Sequence, residues 1–360
     1  MNKQHYALVI GIDRYPGISD LHSARKDAES FFNWLIDPKL GAVPRKNIRL
    51  ITTDDAETPP GTPRRKAKPV RDQVEDALFE LWDMCRTHIT DEPADWFNSR
   101  LYVFGSGHGI APNPQEAALL MANAGPDHYG KNFSYAKYLS WFQKAQFFHE
   151  LVFFADFCRE RIANAPLLGP TWTEINNHNG NLLTVRGLAT YFGDLAFEEE
   201  PDDDDTVNPD ELRGYFTKAL LEGLNGQAID PDTREINSQS LATYVTERVR
   251  ILTKHRPKPQ VPFFVAEPVT PTVTFRKNVP PHEAVAQRHT VTIIFPPDFA
   301  AEVVLLDGNL KKIDTHSAAD GNWVVSLGNG LYRVAPTDGE NTFANAGFFE
   351  IIGAERNVEL

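Results

Sequence analysis

Cys158 closes the run ELVFFADFC at residues 150–158, and His108 stands between two glycines in SGHG at residues 106–109. A thiolate is a strong nucleophile. An imidazole within reach supplies the base that generates it and the acid that later protonates a leaving amine. Each residue follows a short apolar run, residues 151–154 and 101–104, and continuous runs of this length read as strands covered on both faces. If the two strands are parallel, thiol and imidazole emerge at one sheet edge. The glycines beside His108 would let a substrate backbone come close, and the amides of Gly109 and Cys158 are candidates for an oxyanion hole. Taken singly, each residue also has a plain reading, the cysteine as a small buried hydrophobe and the histidine as a loop residue.

The elements that must position them alternate. Residues 6–12, 47–52, 101–104 and 151–154 read as strands, with 117–121 and 182–185 as shorter candidates. Helical spacing appears from Ser19, with Ser19 or Asp20 as candidate N-cap, through Leu21, Ala28 and Phe31, then over Val70 to Cys85 and over residues 135–144. Cys85 falls on the apolar face of its helix and is expected in the core. Further helical faces run through Leu212, Phe216 and Leu220 and through Leu241, Val245 and Val249, before a last strand at 261–265. Such alternation predicts an α/β fold, a doubly wound and mostly parallel sheet flanked by helices, with reactive groups at the carboxyl ends of strands. Prolines punctuate residues 267–287, read as a linker, and residues 288–360 carry short β-rich runs of a small all-β, sandwich-like domain. That domain is expected to dock partners or give support. The acidic block at 198–205 reads as a solvated linker, with a calcium site or a substrate lure as lesser alternatives.

The chain has 360 residues and a formal charge of −13, which disfavours nonspecific nucleic-acid binding. Two cysteines, Cys85 and Cys158, are too few for a disulfide framework and lack zinc-site spacing. With no apolar stretch long enough for a signal or a membrane span, a cytoplasmic protein without membrane, metal or cofactor is expected.

His108 and Cys158 are 50 positions apart, a spacing found in caspases, although the caspase motif around the nucleophile is absent. YALVIGIDRY followed by LHSARKDA at 21–28, SGHG at 106–109, ADFC at 155–158 and LRGYFTKALLEGLNGQA at 212–228 together resemble the caspase-like cysteine peptidases of clan CD, family C14, in their bacterial, metacaspase-type branch. The resemblance covers most of residues 5–266, so that residues 1–266 would be the peptidase domain, caspase-like in fold. It implies His108 as base, Cys158 as nucleophile, and a primary pocket formed by Asp27, Ser106 and Asp156 that takes arginine or lysine. A carboxylate pair suits a guanidinium through charge-assisted hydrogen bonds. Read without the resemblance, Asp27 is a helix surface residue and Asp156 a strand-end cap. The sequence departs from the branch at Arg159-Glu160-Arg161, where a small residue and glycine are usual, at Ala24 in place of a pocket cysteine, and in lacking counterparts of the calcium-binding aspartates.

The expected activity is therefore cysteine endopeptidase cleavage after basic residues through an acyl-enzyme, with a peptide or protein substrate and a possible regulatory partner on the β-rich domain. Self-cleavage at Arg64-Arg65-Lys66 or near Arg213 would fit that specificity. The alternative is an idle caspase-like scaffold that recruits partners. A serine hydrolase fits less well, because Ser106 is displaced by one position from a G-x-S-x-G elbow.

Overall fold

The structure is a computed structural model. It describes all residues except 1, 54–57, 174–179, 200–211, 231–232, 278, 280–288, 309, 329, 339–342 and 352–355. In chain order its strands are β1 (His5–Gly11), β2 (Ile48–Thr52), β3 (Arg100–Ser106), β4 (Gly109–Ala111), β5 (Ala118–Leu120), β6 (Asn132–Ser134), β7 (Glu150–Asp156), β8 (Glu160–Arg161), β9 (Leu183–Leu188), β10 (Ile236–Asn237), β11 (Phe263–Glu267), β12 (Thr274–Arg276), β13 (His289–Ile294), β14 (Glu302–Asp307), β15 (Lys312–Ser317), β16 (Trp323–Leu327), β17 (Gly330–Pro336), β18 (Phe348–Ile351) and β19 (Arg356–Glu359). The α-helices are α1 (Ala24–Ile36), α2 (Arg71–Asp91), α3 (Tyr135–Ala145), α4 (Tyr215–Glu222) and α5 (Ser238–Leu252). Two compact units are formed, Met1–Lys218 with Gln260–Val273, and Ala219–Pro259 with Thr274–Leu360.

The first unit holds the α/β sheet expected from the sequence. Its six strands run in the order β11-β9-β7-β3-β1-β2, all parallel except β11. Alternate side chains explain why both faces are covered. Leu8, Ile10, Val103, Leu151 and Phe153 share one buried cluster with Leu78, Leu81 and Cys85 of α2 and Tyr138 and Phe142 of α3. On the other face Phe31 of α1 stacks on Phe104 at 4.7 Å between centroids and meets Phe154 edge-on at 6.1 Å. Removing a fully buried aromatic of this kind typically costs about 3–5 kcal/mol. Cys85 is buried, as expected of a core thiol.

The chain winds from β1 to β2 in one direction and from β3 through β7 and β9 in the other, which places a topological switch point between β1 and β3. At such a point the loops diverge and leave a crevice at the carboxyl ends of the strands. The helix after β1 starts later than its spacing suggests. Ser23 is the N-cap residue, and Asp20 instead accepts the Tyr15 amide at 2.7 Å within the preceding loop.

In the second unit a three-stranded sheet (β16-β13-β19) and a four-stranded sheet (β15-β14-β17-β18) share a core that includes Val291, Ile293, Leu305, Trp323 and Val334. Helix α5 is tied to β18 by Arg248, which bridges Glu222 at 2.6 Å and also pairs with Glu350. Within residues 267–287, those at 274–276 form β12, and 278 and 280–287 lie outside the described residues. No helix among the described residues is long and apolar enough to cross a membrane.

Candidate active site

Strands β3 and β7 end level, with Ser106 beside Asp156 in register and Gly11 of β1 on the other side of Ser106. Two residues beyond each strand stand His108 and Cys158. Both line one cavity of 150 Å³ at the carboxyl edge of the sheet, together with Asp27, Ser106, Asp156 and Glu198. The structure thus brings together all the side chains singled out by sequence. The main-chain candidates are also adjacent: a β-carbon on Gly109 would stand 2.5 Å from the Cys158 carbonyl oxygen.

His108 Nε2 lies 2.8 Å from the Ser19 carbonyl oxygen and 3.4 Å from Ser19 Oγ. A carbonyl only accepts, so Nε2 carries a proton and in the neutral ring Nδ1 holds the lone pair. The Cys158 thiol is engaged by Ala196, whose amide donates to Sγ at 3.3 Å and whose carbonyl oxygen is 3.6 Å from Sγ. The strap carrying Ala196 is pinned to the residue after the nucleophile, because Gly193 N donates to Arg159 O at 2.9 Å and Arg159 N donates to Asp194 O at 3.1 Å. Burial pushes the Cys158 thiol up; the Ala196 amide works against this, and the charges of Asp156 and Glu160 add to it. Arg159 is itself buried and donates to the carbonyls of Pro114, Glu116 and Thr190, which binds the loop after the nucleophile to its neighbours.

Asp27 belongs to the first turn of α1 but points inward and is 0% exposed. It accepts from Ser106 Oγ at 2.9 Å, Ser23 Oγ at 3.3 Å and Gly214 N at 3.0 Å. Asp156 accepts from Thr217 N at 2.9 Å and Thr217 Oγ1 at 2.7 Å. Both carboxylates thus meet amides at the start of α4, where main-chain N–H groups lack partners within the helix and the helix dipole favours negative charge. The helix-surface reading of Asp27 is overturned: it is buried with its hydrogen bonds directed into the cavity. Burial raises Asp156 to about 6, against the lowering effect of the Thr217 bonds. Asp27 is also pushed well up, first by burial and then by the charge of Asp156. The close approach of the pair depends on Gly214, where a β-carbon would stand 2.2 Å from Asp156 Oδ2 and 3.0 Å from Asp27 Oδ2.

No family model matches the chain. A probable protease of a Desulfuromonadales bacterium is 30% identical over 238 residues, covering 62% of this chain and 26% of that protein; the chain thus spans about a quarter of that relative's length. Among solved structures, the protein GSU0716 of Geobacter sulfurreducens aligns with a TM-score of 0.44 at 13% identity, covering 77% of this chain and 98% of that one. Pro-Sf-caspase-1 aligns with a TM-score of 0.40 at 11% identity over 73% of this chain and 91% of that one.

One cavity residue was hidden in the sequence. Glu198 opens an acidic block whose composition predicts a solvated linker, yet its carboxylate accepts from Ser23 Oγ at 2.8 Å, Ser23 N at 3.0 Å and His22 N at 3.1 Å. Glu199 is also committed, pairing with Lys218 Nζ at 2.6 Å and accepting from Arg213 N at 3.1 Å. The rest of that acidic block, 200–205, lies outside the described residues. Of the basic stretch read for self-cleavage, Arg64 is tied down by a bond to the Asn123 carbonyl at 2.9 Å, whereas Arg65 and Lys66 are exposed. Among the described residues no cluster of three or more His, Cys, Asp or Glu could hold a metal ion.

Proposed function

We propose that this chain is a caspase-like cysteine endopeptidase that cleaves after arginine or lysine, with Cys158 as nucleophile and His108 as base. The observation that carries the reading is the single cavity shared by a thiol, an imidazole and the carboxylates of Asp27, Asp156 and Glu198. A substrate carbonyl must take the place of Ala196 against Sγ. His108 then removes the thiol proton through Nδ1, the sulfur attacks the carbonyl carbon, and the amides of Gly109 and Cys158 receive the developing oxyanion. Collapse of the tetrahedral species breaks the peptide C–N bond; His108 returns the proton to the leaving amine, and water later hydrolyses the thioester. The buried carboxylates give a cationic side chain a reason to enter, and an acidic one would be repelled. A peptide library profiled with wild-type protein tests this: cleavage after basic residues supports it, and cleavage after aspartate removes the pocket assignment.

Gly214 gives a milder test of the same pocket. Gly214→Ala forces a methyl group between Asp27 and Asp156 and should raise KM for an arginyl peptide by about tenfold or more, as small displacements of positioning groups do. Steady-state kinetics check this, and an unchanged KM would show that the pair does not contact substrate. The β-rich residues 288–360 are proposed as an accessory domain that docks a regulatory partner.

A further inference from the structure

His108 has a second fixed neighbour besides Ser19, and it comes from the same loop after β1. Tyr15 is 1% exposed. Its hydroxyl accepts the His108 amide N–H at 3.0 Å and donates to the Leu120 carbonyl oxygen at 3.1 Å. Its ring meets the imidazole edge-on, with centroids 4.8 Å apart. One oxygen atom therefore ties the residue that carries the base to the end of β5, and the ring sets a wall for the imidazole. Burial holds the Tyr15 hydroxyl well above its ordinary range, so it remains a neutral donor and acceptor at every working pH. The loop that carries Tyr15 is itself closed, by Ile18 N donating to Tyr15 O at 2.9 Å, Leu21 N donating to Asp13 O at 2.8 Å, and the Asp20 bond to the Tyr15 amide. Tyr15 and Ser19 thus belong to one loop closed by its own hydrogen bonds.

We infer that Tyr15 is a positioning residue for His108: its hydroxyl sets the His108 main chain so that Nε2–H stays on the Ser19 carbonyl and Nδ1 remains the proton-accepting nitrogen. The consequence for catalysis rests on the peptidase reading above; the consequence for the imidazole does not. A histidine base whose orienting partner is lost samples the wrong tautomer, and its rate falls while substrate affinity is retained.

The test is Tyr15→Phe, which keeps the ring and removes only the oxygen. Imidazole nitrogen chemical shifts of uniformly ¹⁵N-labelled protein report the His108 tautomer directly. Wild type should show the Nε2–H form alone and Tyr15→Phe a mixture, while kcat for an arginyl peptide falls about tenfold or more with KM within about twofold. Tyr244→Phe, which loses a buried hydroxyl contact to Glu222 in the second unit, is the control for general loss of a tyrosine hydroxyl and should leave the His108 tautomer unchanged. An unchanged tautomer in Tyr15→Phe overturns the inference whatever the turnover. So does the same tautomer change in Tyr244→Phe, or a mixed tautomer with unaltered kcat. Absence of turnover in wild type would count against the peptidase reading and leave the tautomer comparison to judge Tyr15.

Discussion

Cys158→Ala is expected to lower turnover of an arginyl peptide by roughly four orders of magnitude or more, while Cys85→Ala leaves it within about twofold. The asymmetry follows from placement. Cys85 is packed among Leu78, Leu81 and Phe147 in the core beneath the sheet, with its thiol donating to the Phe147 carbonyl at 3.4 Å. Cys158 stands at the carboxyl edge of β7 with His108 on the same cavity wall. Alanine at 158 removes the sulfur that would form the thioester and leaves only the amides that receive the oxyanion to assist attack by water. Steady-state assays on the two variants, with thermal melts to show that both fold, check the prediction. Turnover retained by Cys158→Ala would remove the nucleophile assignment.

Asp156→Asn should lower kcat/KM for an arginyl peptide by about a hundredfold or more, because a buried, charge-assisted contact to a guanidinium is replaced by a neutral one. Asparagine can still accept from Thr217, so the start of α4 keeps a partner. The pH dependence should change in two ways. Binding of a basic side chain needs the ionised carboxylate, so affinity in wild type should tighten as pH rises through about 6, and this limb should vanish in the variant. Stability runs the other way. The folded-state value lies above the roughly 3.9 of an unfolded aspartate, so the folded protein holds this proton more tightly than the unfolded chain does. Its stabilising contribution is complete below about pH 4 and is lost as pH rises through the folded value. Asp156→Asn should therefore melt higher than wild type near neutral pH, with the gap closing under acid. Melting curves at both pH values and a KM profile across the interval check both signs.

Much of this site was readable from the residues because its chemistry sits at the ends of strongly patterned elements. The apolar runs before SGHG and DFC read as buried strands, and two parallel strands of equal length carry their next residues to one edge. What could not be read depended on distant partners. The antiparallel direction of β11 is set by its pairing with β9, which no local pattern encodes. Asp27 falls on a helix whose spacing tells only that some positions are buried; its inward direction depends on Ser106 and on Gly214, 187 positions away. Glu198 was masked by its acidic neighbours, and its partners at Ser23 and His22 lie more than 170 positions earlier in the chain. Ser19, one of two candidate helix caps beside Asp20, instead gives its carbonyl to His108, because the loop after β1 closes on itself before the helix begins.

The most direct measurement of the central claim is covalent labelling of the intact protein by a peptide electrophile with arginine at the reacting position, mapped by mass spectrometry. The account predicts one adduct per chain, on Cys158, with none on Cys85, and slower labelling in Asp156→Asn. No adduct at Cys158, or equal labelling of Cys158 by a matched peptide electrophile with aspartate in place of arginine, would contradict it.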